Sequence, residues 1–143
     1  MKKSEKAFAT KFRLPEFEIN QVGNWIISLR PQQTTLGSLI ISLNRRCEKF
    51  SEITDKEGKE LASTFKEVER ILDLAFEPDK INYLALMMVD NQVHFHVIPR
   101  YSSLRIFEEQ KFIDADWPKP PLLNTLDITD ILLSKIINTL RQY

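Results

Sequence analysis

Residues 91–100 read NQVHFHVIPR and hold both histidines of the 143-residue chain. Side chains on a β-strand alternate between its faces, so Gln92, His94 and His96 project together while Val93, Phe95 and Val97 turn the other way, into a core. Before this stretch, Ile81–Val89 (INYLALMMV) is a nearly continuous apolar run of strand length, in which Asn82, Met87 and Met88 read as sheet or core residues. Asp90-Asn91 between the two runs predicts a tight two-residue hairpin, because both residue types tolerate positive φ. Pro99 cannot donate to a sheet ladder and is expected to end the second strand.

Working outward, Asn24–Arg30 (NWIISLR) and Ser38–Asn44 (SLIISLN) are two β-branched runs parted by PQQTTLG, whose Pro31 and Gly37 mark a loop. They read as antiparallel neighbours. Thr54-Asp-Lys-Glu57 is a capping box, in which hydroxyl and carboxylate each satisfy the other's free backbone N–H, so a helix is predicted to start there. Leu61, Phe65, Val68, Leu72 and Ala75 then recur at helical spacing until Pro78 stops the pattern. A short helix over 5–12 precedes a Pro15-containing approach to the first extended stretch. Beyond the rigid DWPKPP loop, Ile128, Ile131, Leu132, Ile136 and Leu140 predict a second amphipathic helix capped by Thr125 or Asp127. The sum is an α+β fold, an antiparallel β-sheet with packed helices, in one domain over residues 1–143.

Twenty basic and twenty acidic residues leave a formal charge of zero, so there is no global field for wrapping nucleic acid and any phosphate contact must be local. No apolar run approaches the roughly 20 residues that cross a bilayer. The N-terminal MKKSEKAFATKF carries basic residues without the apolar core of a secretory signal, and Cys47 is the one cysteine, which fits a reducing compartment. A cytoplasmic location is expected. Neither low-complexity runs nor internal repeats are present.

Two histidines spaced two apart on one strand face admit three readings. They are polar groups on the outer face of a half-polar sheet, or two ligands of a metal site, or a nucleophile with a supporting imidazole. A zinc site wants three or four protein ligands, and Cys47, Asp90 and Glu108 show no ligand spacing. A nucleophilic pair uses both histidines and the neighbouring Gln92.

NQVHFHVIPR closely resembles the motif of the histidine triad (HIT) family, three histidines alternating with apolar residues and often continuing to Pro-Arg. TLGSLIISLNRR and ITDKEGKELASTFKEVERIL resemble the family's Gly-containing strand and following helix, so the likeness spans roughly residues 24–105. The resemblance implies a HIT-like fold, a homodimer, and a bacterial hydrolase-like activity on nucleoside phosphate esters, anhydrides or phosphoramidates, dinucleoside polyphosphates among them. It implies that His94 is the nucleophile, forming a nucleotidyl-histidine intermediate, and that His96 contacts the transferring phosphate. Gln92 replaces the first histidine and can orient a neighbour but cannot titrate. Ser28 stands where relatives carry an Asp or Asn that holds the ribose. Asn91 and Arg100 are the further substrate-binding candidates, with Arg30 and Arg105 as alternative cations and Trp117 as a residue that could stack on a base. No bound cofactor is expected, Mg2+ entering only with a polyphosphate substrate. The usual Gly-rich segment before the motif is missing. A short connection also occurs in the aprataxin branch, which keeps adenylated nucleic-acid ends as an alternative to hydrolysis of small nucleotides, although zero net charge argues against duplex binding. A nucleotide-binding module with little turnover is the other alternative.

Overall fold

The computed structural model describes residues 3–123, 126 and 128–143. Five strands form one antiparallel sheet: β1 (Glu18–Val22), β2 (Trp25–Leu29), β3 (Leu39–Leu43), β4 (Lys80–Leu84) and β5 (His94–Arg100), in the order β1-β2-β3-β5-β4. The connection from β3 to β4 carries helix α2 (Asp55–Phe76), and the chain then returns so that β5 pairs between β3 and β4. A small ribbon, β6 (Arg105–Phe107) with β7 (Gln110–Phe112), follows. Helices α1 (Lys3–Lys11) and α3 (Asp130–Arg141) lie at the two ends. The sequence-based expectations of an α+β fold and an antiparallel β2–β3 pair hold.

The two faces of the sheet are covered differently. Trp25, Ile27, Leu29, Leu39, Ile41, Leu43 and Val97 point into the main core against Val68, Ile71 and Leu72 of α2 and Ile136 and Leu140 of α3. Each such side chain, fully buried, contributes about 1.5–3 kcal/mol. The Thr54–Glu57 capping box forms as predicted, and the buried Glu57 carboxylate also takes two bonds from Arg45, fixing the start of α2. Trp25 Nε1 donates to Glu57 O at 2.8 Å, which ties β2 to the same helix turn. Gly37, at φ +83°, lies so close to Phe76 that a Cβ there would sit 2.9 Å from the ring; only glycine meets both demands. The opposite face carries Ile26, Ser28, Ile40, Ser42, His94 and His96, and α1 lies over it with Phe8 and Phe12 packed on Ile40.

Four expectations are corrected. The apolar run 81–89 is not one strand: β4 stops at Leu84, its last pair being Leu84↔His96, and residues 85–93 form a loop. No two-residue hairpin therefore exists, and Met88 is exposed while Met87, at φ 52°, is half-buried in the loop. Secondly, the strand bearing the histidines begins at His94 rather than Gln92. It also runs through Pro99, whose carbonyl, on the same side as its nitrogen, accepts from Thr35 Oγ1. The ladder to β3 has ended at Val97, so the missing N–H breaks no rung on that side. Thirdly, α3 is capped by Thr129, whose hydroxyl accepts from Leu132 N; Thr125 and Asp127 lie outside the described residues. Fourthly, the buried stripe of α3 is Leu132, Leu133, Ile136, Ile137 and Leu140, which leaves Ile131 exposed.

Candidate active site

Strand register builds the site. Ser28, Ile40 and His96 stand in one row across β2, β3 and β5, and Ile26, Ser42 and His94 in the next. The imidazoles meet with ring centroids 4.9 Å apart at 77°. Phe8 and Phe12 lie 5.2 and 6.0 Å from the His94 ring, and Phe12 lies 6.4 Å from that of His96. With the aromatic pair above them, His94 is 2% exposed and His96 6%. They line a cavity of about 170 Å3 together with Lys11, Arg30, the loop segment 86–90 and Leu123.

Two different partners fix the proton on each ring. His94 Nδ1 faces the backbone carbonyl of Gln92, which can only accept, so Nδ1 carries the hydrogen and Nε2 keeps its lone pair. His96 Nδ1 is met by Arg30 Nε, a donor, at 3.2 Å, so Nδ1 must accept and the proton sits on Nε2. One ring is thus set as a nucleophile and the other as a hydrogen-bond donor. Burial pushes the pKa of both histidines down, that of His96 to about 4 with the neighbouring His94 and Arg30 adding to the effect. Both are neutral near pH 7.

Arg30 is the residue that strand parity could have promoted, since it lies two positions after Ser28 and faces the same way. Its Nη1 bonds Gln32 O and Thr34 Oγ1, which holds the guanidinium against His96. Ser28 Oγ and Ser42 Oγ are buried on this face with no hydrogen-bond partner among the described residues. Ser42 pairs directly with His94.

Other candidates lie elsewhere. The Gln92 side chain does not join the histidine row: its amide donates to Leu43 O and Arg45 O and accepts from Cys47 N. Its contribution to the pair is its backbone carbonyl. Arg100 is buried, bidentate to Asp114 and bonded to Asn82 Oδ1 and Lys119 O; it lines a separate cavity that also holds Trp117. Arg105 stacks over Tyr101. Asn91 is exposed and does not line the histidine cavity. The connection before β5 is present, but built from Ala-Leu-Met-Met-Val rather than glycine, and the short hairpin that suggested adenylated nucleic-acid ends is not formed. Among the described residues no group of three or more His, Cys, Asp or Glu side chains is arranged to hold a metal ion, and no helix is long and apolar enough to cross a membrane.

Comparison with known proteins agrees with this architecture. A histidine triad protein of Bradyrhizobium japonicum superposes with a TM-score of 0.70 at 21% identity, over 91% of this chain and 92% of that one. A histidine triad (HIT) protein of Sinorhizobium meliloti gives the same values. A hypothetical histidine triad nucleotide-binding protein of Sulfolobus tokodaii gives 0.66 at 16% identity, over 88% of this chain and 81% of that one. At such identities the likeness is one of fold. No curated protein sequence matches significantly. The HIT domain family model matches residues 26–103, from β2 through the histidine strand, and the chain belongs to the HIT family.

Proposed function

We propose that the protein is a nucleotidyl hydrolase or transferase working through a nucleotidyl-histidine intermediate on His94. The observation that carries this reading is the pair of opposite Nδ1 contacts, His94 on the Gln92 carbonyl and His96 on Arg30 Nε, from which a lone pair on His94 Nε2 and a hydrogen on His96 Nε2 follow. In the first step His94 Nε2 bonds to the α-phosphorus and the bond to the leaving group breaks, its electron pair departing with that group. The Gln92 carbonyl steadies the positive charge growing on the His94 ring, while His96 Nε2–H and the Arg30 charge face the phosphoryl oxygens. Water then attacks phosphorus, releasing the nucleoside monophosphate and restoring His94. Ser28, its hydroxyl free of partners among the described residues, is the candidate for the ribose. Another cavity of about 440 Å3, lined by Phe8, Leu14, Pro15 and Ile26 together with Glu18, Asn44, Arg45 and Gln92, offers room for the base. Homodimerisation belongs to the same reading, with β4 at the edge of the sheet.

Incubation with dinucleoside polyphosphates, ADP-sulfate and adenosine phosphoramidate, with and without Mg2+ for the polyphosphates, is expected to release nucleoside monophosphate. His94→Ala is expected to abolish the release, and equal turnover by that variant would remove His94 as nucleophile. A second reading, a nucleotide-binding module with little turnover, is favoured by the near-complete covering of His94. Calorimetry showing tight nucleoside monophosphate binding with no product from any substrate would select it.

A further inference from the structure

The cavity at the histidine pair has an unusual wall for a site that meets phosphate. Leu86, Met87, Met88, Val89 and Leu123 line it, and Leu86, Met88 and Val89 are 48, 82 and 83% exposed. Three apolar side chains displayed at the mouth of one polar site form a patch that asks for an apolar occupant. The two cations that line this cavity, Lys11 and Arg30, are largely engaged by the protein, and what Arg30 has left already faces the transferring phosphoryl group in the reading above. Lys11 Nζ lies 2.7 Å from Asp90 Oδ2, and Arg30 spends its Nε on His96 and its Nη1 on Gln32 and Thr34. Residues 85–93 contain no glycine, so the loop lacks the residue that most readily forms a backbone anion nest. A polyphosphate tail would bring several further negative charges to this wall and find there only Lys11, paired with Asp90, and the guanidinium that already faces the transferring phosphoryl group.

Resting on the nucleotidyl-transfer reading above, we infer that the leaving group seated on this wall is an apolar carboxylate or phenolate, so that the substrate is a nucleoside monophosphate bearing an apolar acyl or aryl group. The bond from phosphorus to the carboxylate or phenolate oxygen breaks as His94 Nε2 bonds to phosphorus, and the oxygen leaves with the electron pair. Carboxylates and nitrophenolates leave as stable anions, so no protonated acid is needed beside them. The neighbours agree with that: the Gln92 side chain is turned away, and His96 holds its hydrogen as a neutral imidazole. Water then attacks phosphorus and breaks its bond to His94, giving the nucleoside monophosphate, the free His94 and one proton to solvent.

The test measures AMP release from octanoyl-AMP, acetyl-AMP, the 4-nitrophenyl ester of AMP and diadenosine tetraphosphate, with His94→Ala as the control for spontaneous hydrolysis. Octanoyl-AMP or the nitrophenyl ester is expected to exceed diadenosine tetraphosphate in kcat/KM by about tenfold or more, the better of the two naming the source as acyl or aryl. The double variant Met88→Ser/Val89→Ser, with folding checked by circular dichroism, is expected to narrow the octanoyl-to-acetyl ratio by about tenfold. Faster turnover of diadenosine tetraphosphate, or an unmoved ratio, overturns the apolar assignment and leaves nucleotidyl transfer standing. AMP from none of the four overturns both.

Discussion

Acidification tests the burial of the histidine pair. His96 is 6% exposed, and its pKa drops from an ordinary 6.5 to about 4 through burial first, then the nearby His94 and Arg30. As pH falls, the unfolded chain takes up a proton on this residue near 6.5, whereas the folded chain refuses it until about 4. The unfolded state thus binds more protons across that window, and folding stability declines as pH falls through it. At about 1.4 kcal/mol per pKa unit, His96 alone removes about 3 kcal/mol between the two values. The contribution is fully present above 6.5 and gone near 4. His94 shifts in the same direction, again through burial, and adds to the loss. Urea unfolding at a series of pH values, followed by fluorescence of the buried Trp25, would compare the native protein with His96→Gln, whose amide does not titrate. The stability difference between them should shrink by about 3 kcal/mol from neutral pH to about pH 4. Two stability curves that run parallel across the window would refute the reasoning.

Two substitutions separate support from chemistry. Gln92→Ala leaves Leu43 O, Arg45 O and Cys47 N without their side-chain partner, a loss of about 2–3 kcal/mol in denaturant unfolding. Because the same residue's carbonyl orients His94, kcat should fall while KM holds; a change confined to KM would instead put the Gln92 side chain on the substrate. Arg100→Met strands the Asp114 carboxylate, whose side chain is 2% exposed, and should destabilise by about 3–5 kcal/mol. Its kcat/KM per folded molecule should be unchanged; a raised KM at native stability would return Arg100 to the phosphate.

The fold was legible where local signals agreed with burial. β2, β3 and α2 each combine a periodic apolar pattern with a punctuating residue, and in α2 the capping box names the first turn. The stretch 81–89 was misread because composition cannot tell an apolar side chain that is buried from one that is displayed. Its first half pairs with β5, whereas its second half leaves the sheet and presents Leu86, Met88 and Val89 at a cavity mouth. That His94 and His96 share one face was legible from period two, but their chemistry was not, since the spacing admits three readings and only the family resemblance chose among them. Lys11 and Asp90 were not, since their contact joins positions 79 apart and follows from α1 docking on the sheet. Nor was the role of Gln92, because strand alternation was extended over a residue that precedes the strand.

Gln92 also explains how a triad position can lose its histidine with the reactive pair still oriented. What His94 needs from position 92 is an acceptor at Nδ1, and the backbone carbonyl supplies it whatever the side chain. The side chain answers to a different requirement. It must give two hydrogens, to Leu43 O and Arg45 O, and accept one from Cys47 N. A neutral imidazole has one donor and one acceptor, and an imidazolium has no acceptor, so neither form of histidine can satisfy all three groups; a primary amide can. The glutamine therefore ties the segment that follows β3 to the loop that delivers the chain into β5. The backbone it secures is the one whose carbonyl sets the proton on His94.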